Sequence, residues 1–163
     1  MFGRWVKFGK DKTGATIVYH ACDLTDFKST KQVRDSILKS LPPIAGVANG
    51  AMVLRDASVV QMTFSQLSNV LRPKVESTLN LDRLFATKRG SLDWFVGFSS
   101  IVGTTGNPGQ APYSAGNVLL KTLTRQRRAR GLPGSTINIE EVKQDYHKRH
   151  LGLLAHTHLG FSR

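Results

Sequence analysis

The chain has 163 residues, of which 40% are hydrophobic, and carries a formal net charge of +12. This length suits a single domain with one hydrophobic core. No run of apolar residues approaches the length of a membrane span, and the first residues lack the unbroken apolar segment of a secretory signal. The sequence therefore predicts a cytoplasmic protein with no membrane partner. The one cysteine, Cys22, excludes an internal disulfide, and its place after an apolar segment predicts a buried structural thiol.

The first predicted strand covers residues 15–21, which are apolar and rich in β-branched side chains. Turn and helix-start signals follow between Asp23 and Asp26. The predicted helix ends before prolines 42 and 43, because proline cannot occupy a helix interior. It would turn three apolar side chains inward: Val33, Ile37 and Leu38. Residues 44–48 then give a short apolar strand.

Helical spacing returns from Phe64 to Leu71, and Pro73 predicts the start of a second helix instead of one continuous helix. A further strand is predicted at residues 93–98, and a helix from Tyr113 to about Arg130. A fourth strand is predicted at residues 134–139. This alternation of strands and helices predicts a parallel sheet with covering helices.

Polar side chains gather where the strand at residues 93–98 ends. Ser99 and Ser100 follow it directly, and open α/β sheets bind ligands at the carboxyl ends of their strands. After a loop rich in glycine, threonine and asparagine, Tyr113 opens a helix, and Asn117 falls four residues later on the same helix face. One carbonyl group could meet a serine, a tyrosine and an asparagine here, which is the pattern of half a reductase active site.

Five segments, in this order, carry a resemblance to a known family. They are Pro-Ile-Ala-Gly-Val at 43–47, Arg-Pro-Lys-Val-Glu-Ser-Thr at 72–78, Phe-Ser-Ser-Ile at 98–101, Tyr-Ser-Ala-Gly-Asn at 113–117 and Arg-Arg-Ala-Arg-Gly-Leu-Pro-Gly at 127–134. The chain resembles the ketoreductase domain of polyketide synthases, most closely the fungal highly reducing type, in the short-chain dehydrogenase/reductase superfamily. The resemblance implies an α/β fold: an incomplete Rossmann-like parallel sheet with covering helices that lacks the first βαβ unit.

The resemblance also implies roles for four residues. Hydride transfer to a ketone places negative charge on the carbonyl oxygen, which calls for an acid and a hydrogen-bond donor. By resemblance, Tyr113 is the acid and Ser100 the donor, while Lys74 and Asn117 tune the tyrosine and support a proton relay. Ordinary short-chain reductases have lysine four residues after the tyrosine. Polyketide ketoreductases have asparagine there and bring lysine from an earlier helix, as Asn117 and Lys74 would.

Each of these four residues also has a purely structural interpretation. Ser100 could cap a loop, Tyr113 could belong to an amphipathic helix, Asn117 could be a surface residue, and Lys74 an exposed lysine in a first helical turn. Their ordered occurrence within a long family match favours descent from a reductase active site.

The cofactor implied by the resemblance is NADPH. Asp23 would lie near its adenine, and Ala48, Asn49 and Gly50 would pass beside its ribose. From the residues alone, Asp23 could equally cap the next helix and the Asn49-Gly50 pair could be a turn. The sequence shows no strand, Gly-rich turn and helix that would hold a pyrophosphate, since glycines 3, 9 and 14 are spaced differently.

The positive charge is concentrated in two clusters, at residues 125–130 and 147–150. Such clusters can contact phosphates, but no nucleic-acid motif accompanies them. The first is predicted to be the solvated C-terminal end of a helix. The histidines at 147, 150, 156 and 158 lack a ligand framework, so no metal site is predicted. The chain is divided into a basic segment at 1–14, a partial ketoreductase at 15–139 and a basic, histidine-rich tail at 140–163.

Three functions from different classes follow. The chain could be an NADPH-dependent reductase of β-ketoacyl groups carried on an acyl carrier protein. It could instead be an inactive remnant, or a piece that must associate with the missing part of a synthase. The third hypothesis is a basic module that binds nucleic acid or an acidic carrier protein. Without its first strands the fold is expected to expose a sheet edge and apolar faces.

Overall fold

A computed structural model describes residues 6–10, 14–87 and 92–139. Its elements, in chain order, are strands β1 (Val6–Lys10) and β2 (Thr16–Tyr19), helix α1 (Phe27–Ser40), strand β3 (Gly46–Asn49), a 3-10 turn (Val59–Gln61), helix α2 (Phe64–Leu84), strand β4 (Trp94–Ser100), the short helix α3 (Val102–Thr105), helix α4 (Ala111–Ala129) and strand β5 (Ser135–Ile139). The predictions for the glycine at position 3 and for the tail at 140–163 lie outside the described residues.

Three parallel strands form the sheet that positions the site, in the order β3, β4, β5. The register pairs Asn49 with Gly97 and Ser100 with Ile139, so the carboxyl ends of β3 and β4 lie at the same edge. The predicted parallel sheet is confirmed. The central strand β4 is apolar along most of its length and is the most buried of the three, as expected for a strand paired on both sides.

Helices cover one face of this sheet in successive layers. Helix α4 packs on β4 and β5, α2 packs on α4, and α1 packs on α2. The approach of α4 to the sheet depends on Gly97, because a Cβ atom there would lie 2.6 Å from Cδ1 of Leu120. Phe95, Leu120 and Leu123 are buried in this interface, which places the hydrophobic core between α4 and β4.

The ends of α1 agree with its predicted start and stop signals. Asp26 is the N-cap, and its carboxylate accepts hydrogen bonds from the backbone N–H groups of Lys28 and Ser29. The helix ends at Ser40, before the two prolines. Leu38, which was predicted to point inward, is 49% exposed. The reason is that, among the described elements, α1 packs mainly on α2 and so buries a narrow stripe.

The predicted strand at residues 15–21 exists as β2, but the prediction that it belongs to the parallel sheet is wrong. It pairs antiparallel with β1, with Val6 opposite Tyr19. A nearby partner in the chain satisfies its backbone hydrogen-bonding groups locally. The prediction of a new helix beginning at Pro73 is also wrong, because α2 runs unbroken through it. Val70 and Lys74 on either side of Pro73 are buried, and this packing offsets the lost hydrogen bond.

The basic cluster at residues 125–130 is not uniformly solvated, contrary to the prediction. Arg127 is fully buried, and its guanidinium pairs with Asp82 of α2 and lies 4.1 Å from the centroid of the Phe95 ring. Its Nε and Nη2 donate to the carbonyls of Pro133 and Phe85. Arg125, Arg128 and Arg130 are exposed, as predicted. Arg127 falls seven residues after Leu120, on the buried stripe of α4.

Candidate active site

Ser100 is the last residue of β4 and lies at the carboxyl edge of the sheet. It is 6% exposed, and its Oγ accepts a hydrogen bond of 3.2 Å from the backbone N–H of Val102. This bond turns the chain from the strand into α3. The serine hydroxyl keeps its own proton available to donate to another acceptor.

Tyr113 is the third residue of α4 and is half-buried. The first turn of this helix contains Pro112, which is buried and whose missing N–H would have no intrahelical partner at that position. The next residue, Ser114, donates from its Oγ to the carbonyl of Val102 at 2.6 Å. Val102 therefore connects the end of β4, through Ser100, with the start of α4, through Ser114.

Lys74 reaches the same region from α2. The residue is 4% exposed, and its Nζ donates to the carbonyl of Phe98 at 2.9 Å and lies 5.6 Å from the centroid of the Tyr113 ring. The side chain passes Gly116, where an added Cβ would lie 3.4 Å from the Lys74 Cδ. Burial lowers the pKa of the Lys74 ammonium to about 8. Lys74 is therefore not an exposed residue in the first turn of a helix, since it is buried within α2.

Asn117 is fully buried one helical turn after Tyr113. Its Nδ2 donates to the Tyr113 carbonyl at 2.9 Å, and its Oδ1 is buried without a partner among the described residues. The Asn117 Cβ lies against Gly103 of α3, so close that a Cβ at position 103 would be only 2.9 Å away. The surface interpretation of Asn117 is therefore excluded.

These contacts bring the four predicted residues to one region at the end of β4. Ser100 comes from the strand, Tyr113 and Asn117 from α4, and Lys74 from α2. Sequence reasoning did not identify Ser114, although it lies beside Tyr113. Its position could have identified it, because Ser114 is a polar residue between Tyr113 and Asn117 on one helical turn.

A second link between two loops was also missed by the sequence. Gln110, three residues before Tyr113, donates from Nε2 to Oδ2 of Asp56 at 3.0 Å. Beside it, the backbone N–H of Ala57 donates to the carbonyl of Gly109 at 3.0 Å. These two bonds fasten the loop after β3 to the start of α4, and thus fix where the helix that carries Tyr113 begins.

The predicted cofactor residues are in two separate places. The Asp23 carboxylate is exposed and accepts hydrogen bonds of 2.8 Å from the N–H and Oγ1 of Thr25, which lower its pKa. It does not cap α1, since Asp26 does. The carbonyls of Leu24 and Thr25 accept hydrogen bonds from Asn80 of α2. This attaches the Asp23 loop to α2, the helix that also carries Lys74.

Ala48, Asn49 and Gly50 lie at the carboxyl end of β3. The Asn49 side chain is buried and donates to Ser77 Oγ at 3.1 Å and Thr78 Oγ1 at 2.9 Å, while its Oδ1 accepts from the Ala51 N–H. These bonds fasten β3 to α2, so the Asn49 amide group has a structural role. Ala48 and Gly50 are exposed and are available for contact with a ligand.

The exposed arginines of the cluster at 125–130 lie far from this region. Twelve residues of α4 separate Tyr113 from Arg125, which corresponds to about 18 Å along the helix axis. Within the described ranges, no His, Cys, Asp and Glu side chains form a group of three that could hold a metal, and no helix is both long and apolar enough to cross a membrane.

The sequence is similar to those of known proteins. The sequence model of the KR domain family matches residues 7–144. The fusarielin synthase of Gibberella zeae is 52% identical over 143 residues, which cover 85% of this chain. A highly reducing polyketide synthase of Neocamarosporium betae is 46% identical over 139 residues, again 85% of this chain. The chain spans about 5% of the length of each of these two relatives.

Solved ketoreductase structures have the same fold. A ketoreductase domain from the bacillaene assembly line superposes with a TM-score of 0.71 at 28% identity, over 85% of this chain and 36% of the other. The ketoreductase from the first module of phoslactomycin biosynthesis in Streptomyces sp. HK803 has a TM-score of 0.65 at 32% identity, over 76% of this chain and 27% of the other. The chain belongs to the KR domain family, the ketoreductases of polyketide synthases.

Proposed function

We propose that this chain carries the proton-donating half of a ketoreductase active site and acts in the NADPH-dependent reduction of a β-ketoacyl group to a β-hydroxyacyl group. The observation that carries the proposal is the position of Lys74. A lysine on a different helix from Tyr113 is buried beside the tyrosine ring. Burying an ammonium group costs free energy. An apolar side chain of the same size would fill the space without this cost.

The four residues have distinct tasks in this reaction. As hydride reaches the ketone carbon, negative charge develops on the carbonyl oxygen. The Tyr113 hydroxyl gives its proton to that oxygen, and the Ser100 hydroxyl donates a hydrogen bond to it. Both side chains come from the carboxyl end of β4 and the start of α4, so both can reach one oxygen atom.

Lys74 and Asn117 support the tyrosine. The Lys74 ammonium stabilises the phenolate that remains after proton transfer, because opposite charges attract strongly in a buried environment. Asn117 donates a hydrogen bond to the carbonyl of Tyr113, and its buried Oδ1 is available as an acceptor. The lowered pKa of Lys74 places loss of its proton within the working pH range, so it can return a proton to the tyrosine.

Three exposed residues would contact NADPH. Ala48 and Gly50 are exposed beside the end of β3, and an added Cβ at Gly50 would make only ordinary contact, 3.5 Å, with Phe98. These two residues would lie along the ribose next to the nicotinamide, and the exposed Asp23 would face the adenine. When bound, NADPH supplies the hydride. None of the described strands leads through a Gly-rich turn into a helix that would bind the pyrophosphate.

The substrate class follows from the relatives. The relative from Neocamarosporium betae is a highly reducing polyketide synthase, and we assign the β-ketoacyl group to an acyl carrier protein on that basis. The exposed arginines at 125–130 are about 18 Å from Tyr113, so they do not contact the ketone itself.

The test is reduction of a β-ketoacyl thioester, followed by the consumption of NADPH. The wild-type chain is compared with Tyr113→Phe and with Tyr19→Phe, which changes an exposed tyrosine on β2. Loss of turnover in Tyr113→Phe alone supports the proposal. Equal turnover in the wild type and Tyr113→Phe contradicts the role of Tyr113.

A second candidate is favoured by the length comparison. This chain covers only 27% and 36% of the two ketoreductase chains that it superposes on, and we infer as the alternative that it works only with the remaining part of such a domain. Calorimetry with NADPH and NADH on the folded chain separates the two. Micromolar binding of NADPH favours independent catalysis, whereas no binding by a folded chain favours the partner-dependent alternative.

A further inference from the structure

The side chain of Ser99 points from β4 toward α4. Along this strand, Phe95 contacts Arg127 of α4, and Gly97 lies against Leu120. Later residues of β4 therefore meet earlier residues of α4. Because every second residue of a strand faces the same side, Ser99 also faces α4. Its side chain lies against the helical turn that precedes Leu120.

Asn117 belongs to that turn, and it leaves a polar atom that is complementary to the hydroxyl of Ser99. Asn117 is fully buried and Ser99 is 2% exposed. Neither the Ser99 Oγ nor the Asn117 Oδ1 has a hydrogen-bond partner among the described residues. The Asn117 amide keeps its orientation, because its Nδ2 donates to the Tyr113 carbonyl. The hydroxyl thus needs an acceptor and the Oδ1 needs a donor, and burial without these partners costs free energy.

The Lys74 ammonium reaches the same layer between β4 and α4. Its Nζ donates to the carbonyl of Phe98, the residue before Ser99. Its Cδ passes Gly116, the residue before Asn117. An ammonium has three N–H groups, so it can donate a further hydrogen bond here. Its positive charge disfavours a metal ion between the two oxygens, and their burial keeps NADPH and the ketone away from them. A small neutral molecule that both donates and accepts fits this place.

We propose that one buried water molecule binds between the Ser99 Oγ and the Asn117 Oδ1, and that Ser99 uses it to position the side chain that holds the Tyr113 carbonyl. The water accepts hydrogen bonds from the Ser99 hydroxyl and the Lys74 ammonium and donates one to the Asn117 Oδ1. A buried water typically makes about three hydrogen bonds. Ser99 is a positioning residue, since it does not touch the substrate. Its effect on reduction rests on the proposed function, whereas the water site does not.

The test is a pair of crystal structures, of the wild-type chain and of Ser99→Ala, at a resolution that shows ordered water. In the wild type we expect one water within about 3.2 Å of the Ser99 Oγ, the Asn117 Oδ1 and the Lys74 Nζ. In Ser99→Ala the water should be lost, and the Asn117 amide should rotate away from the Tyr113 carbonyl.

The matched control is Thr124→Val. Thr124 carries another buried hydroxyl of α4, but this hydroxyl donates within its own helix. The control should therefore keep the water and the Asn117 amide in place. Steady-state kinetics gives a second measurement: Ser99→Ala should lower kcat about tenfold through the displaced Tyr113 and leave KM unchanged, and Thr124→Val should change neither. Circular dichroism checks that each variant is folded.

Three results would overturn the proposal. The wild type could show no water between the two oxygens, Ser99→Ala could leave the Asn117 amide where it is, or Thr124→Val could lose the water equally. A chain that holds the water but reduces no ketone contradicts the proposed function alone. A chain that reduces the ketone without the water contradicts this inference alone.

Discussion

The Lys74 Nζ lies 5.6 Å from the centroid of the Tyr113 ring, with one residue on α2 and the other on α4. This proximity predicts that Tyr113→Phe lowers kcat by about 10²- to 10⁴-fold, the usual contribution of a positioned acid. The free energy of unfolding should change little, since the ring remains. Steady-state kinetics and urea unfolding measure the two effects, and Tyr19→Phe serves as the control.

Replacing Lys74 should separate stability from activity. Lys74→Met keeps the volume of the side chain and removes a buried charge without a described acidic partner, so we expect the protein to be at least as stable at pH 7 as the wild type. Reduction should be lost. A variant that is both inactive and much less stable would contradict this, because it would mean that Lys74 holds the fold together.

The pH dependence of stability gives a separate test of Lys74. Its pKa is about 8 in the folded protein, below the ordinary value of 10.5. Between these two values the unfolded chain binds more protons than the folded one, so stability rises with pH in that window. Below pH 8 both states are protonated and this dependence vanishes. The rise should be missing in Lys74→Met, and chemical unfolding from pH 7 to pH 10 measures it.

Arg127 should be important for stability, in contrast to its neighbours. Arg127→Met removes one partner of a buried ion pair, and we expect a loss of about 3 kcal/mol in the free energy of unfolding. The loss should not be larger, because Asp82 still forms its ion pair with Arg130. Arg125→Met, at an exposed position, should change stability by less than about 0.5 kcal/mol. Equal effects of the two substitutions would show that the burial of Arg127 contributes nothing.

The link between Asp56 and Gln110 should affect catalysis more than folding. Asp56→Ala removes the acceptor of the Gln110 hydrogen bond, and the start of α4 should shift. A displacement of about 1 Å at a reacting group can lower activity about 100-fold, so we expect a fall of at least tenfold in kcat/KM. Arg55→Ala, an exposed neighbour, is the control. An unchanged kcat/KM in Asp56→Ala would contradict the positioning role.

Much of the α/β fold could be predicted from local sequence. Strands β3 and β4 are mostly apolar, β5 is rich in β-branched side chains, and the proline pair marks the end of α1. The antiparallel pairing of β2 could not be predicted, because the sequence of an apolar strand does not specify which strand it pairs with. The continuity of α2 through Pro73 depends on tertiary packing that local rules do not include. For the site, the spacing of Tyr113 and Asn117 was sufficient to predict a shared location. The burial of Arg127 could have been predicted only by extending the helical period of the buried residues to the last turn of α4.

Helix α2 contacts several of the elements that surround the site. Over nine residues, α2 contacts Phe98 through Lys74, Asn49 through Ser77 and Thr78, the segment after β2 through Asn80, and Arg127 through Asp82. An inserted or deleted residue in this stretch would rotate everything beyond it by about 100° and misplace several of these contacts at once. Length variation among relatives is therefore expected in the loops, such as residues 51–58, and not between Lys74 and Asp82.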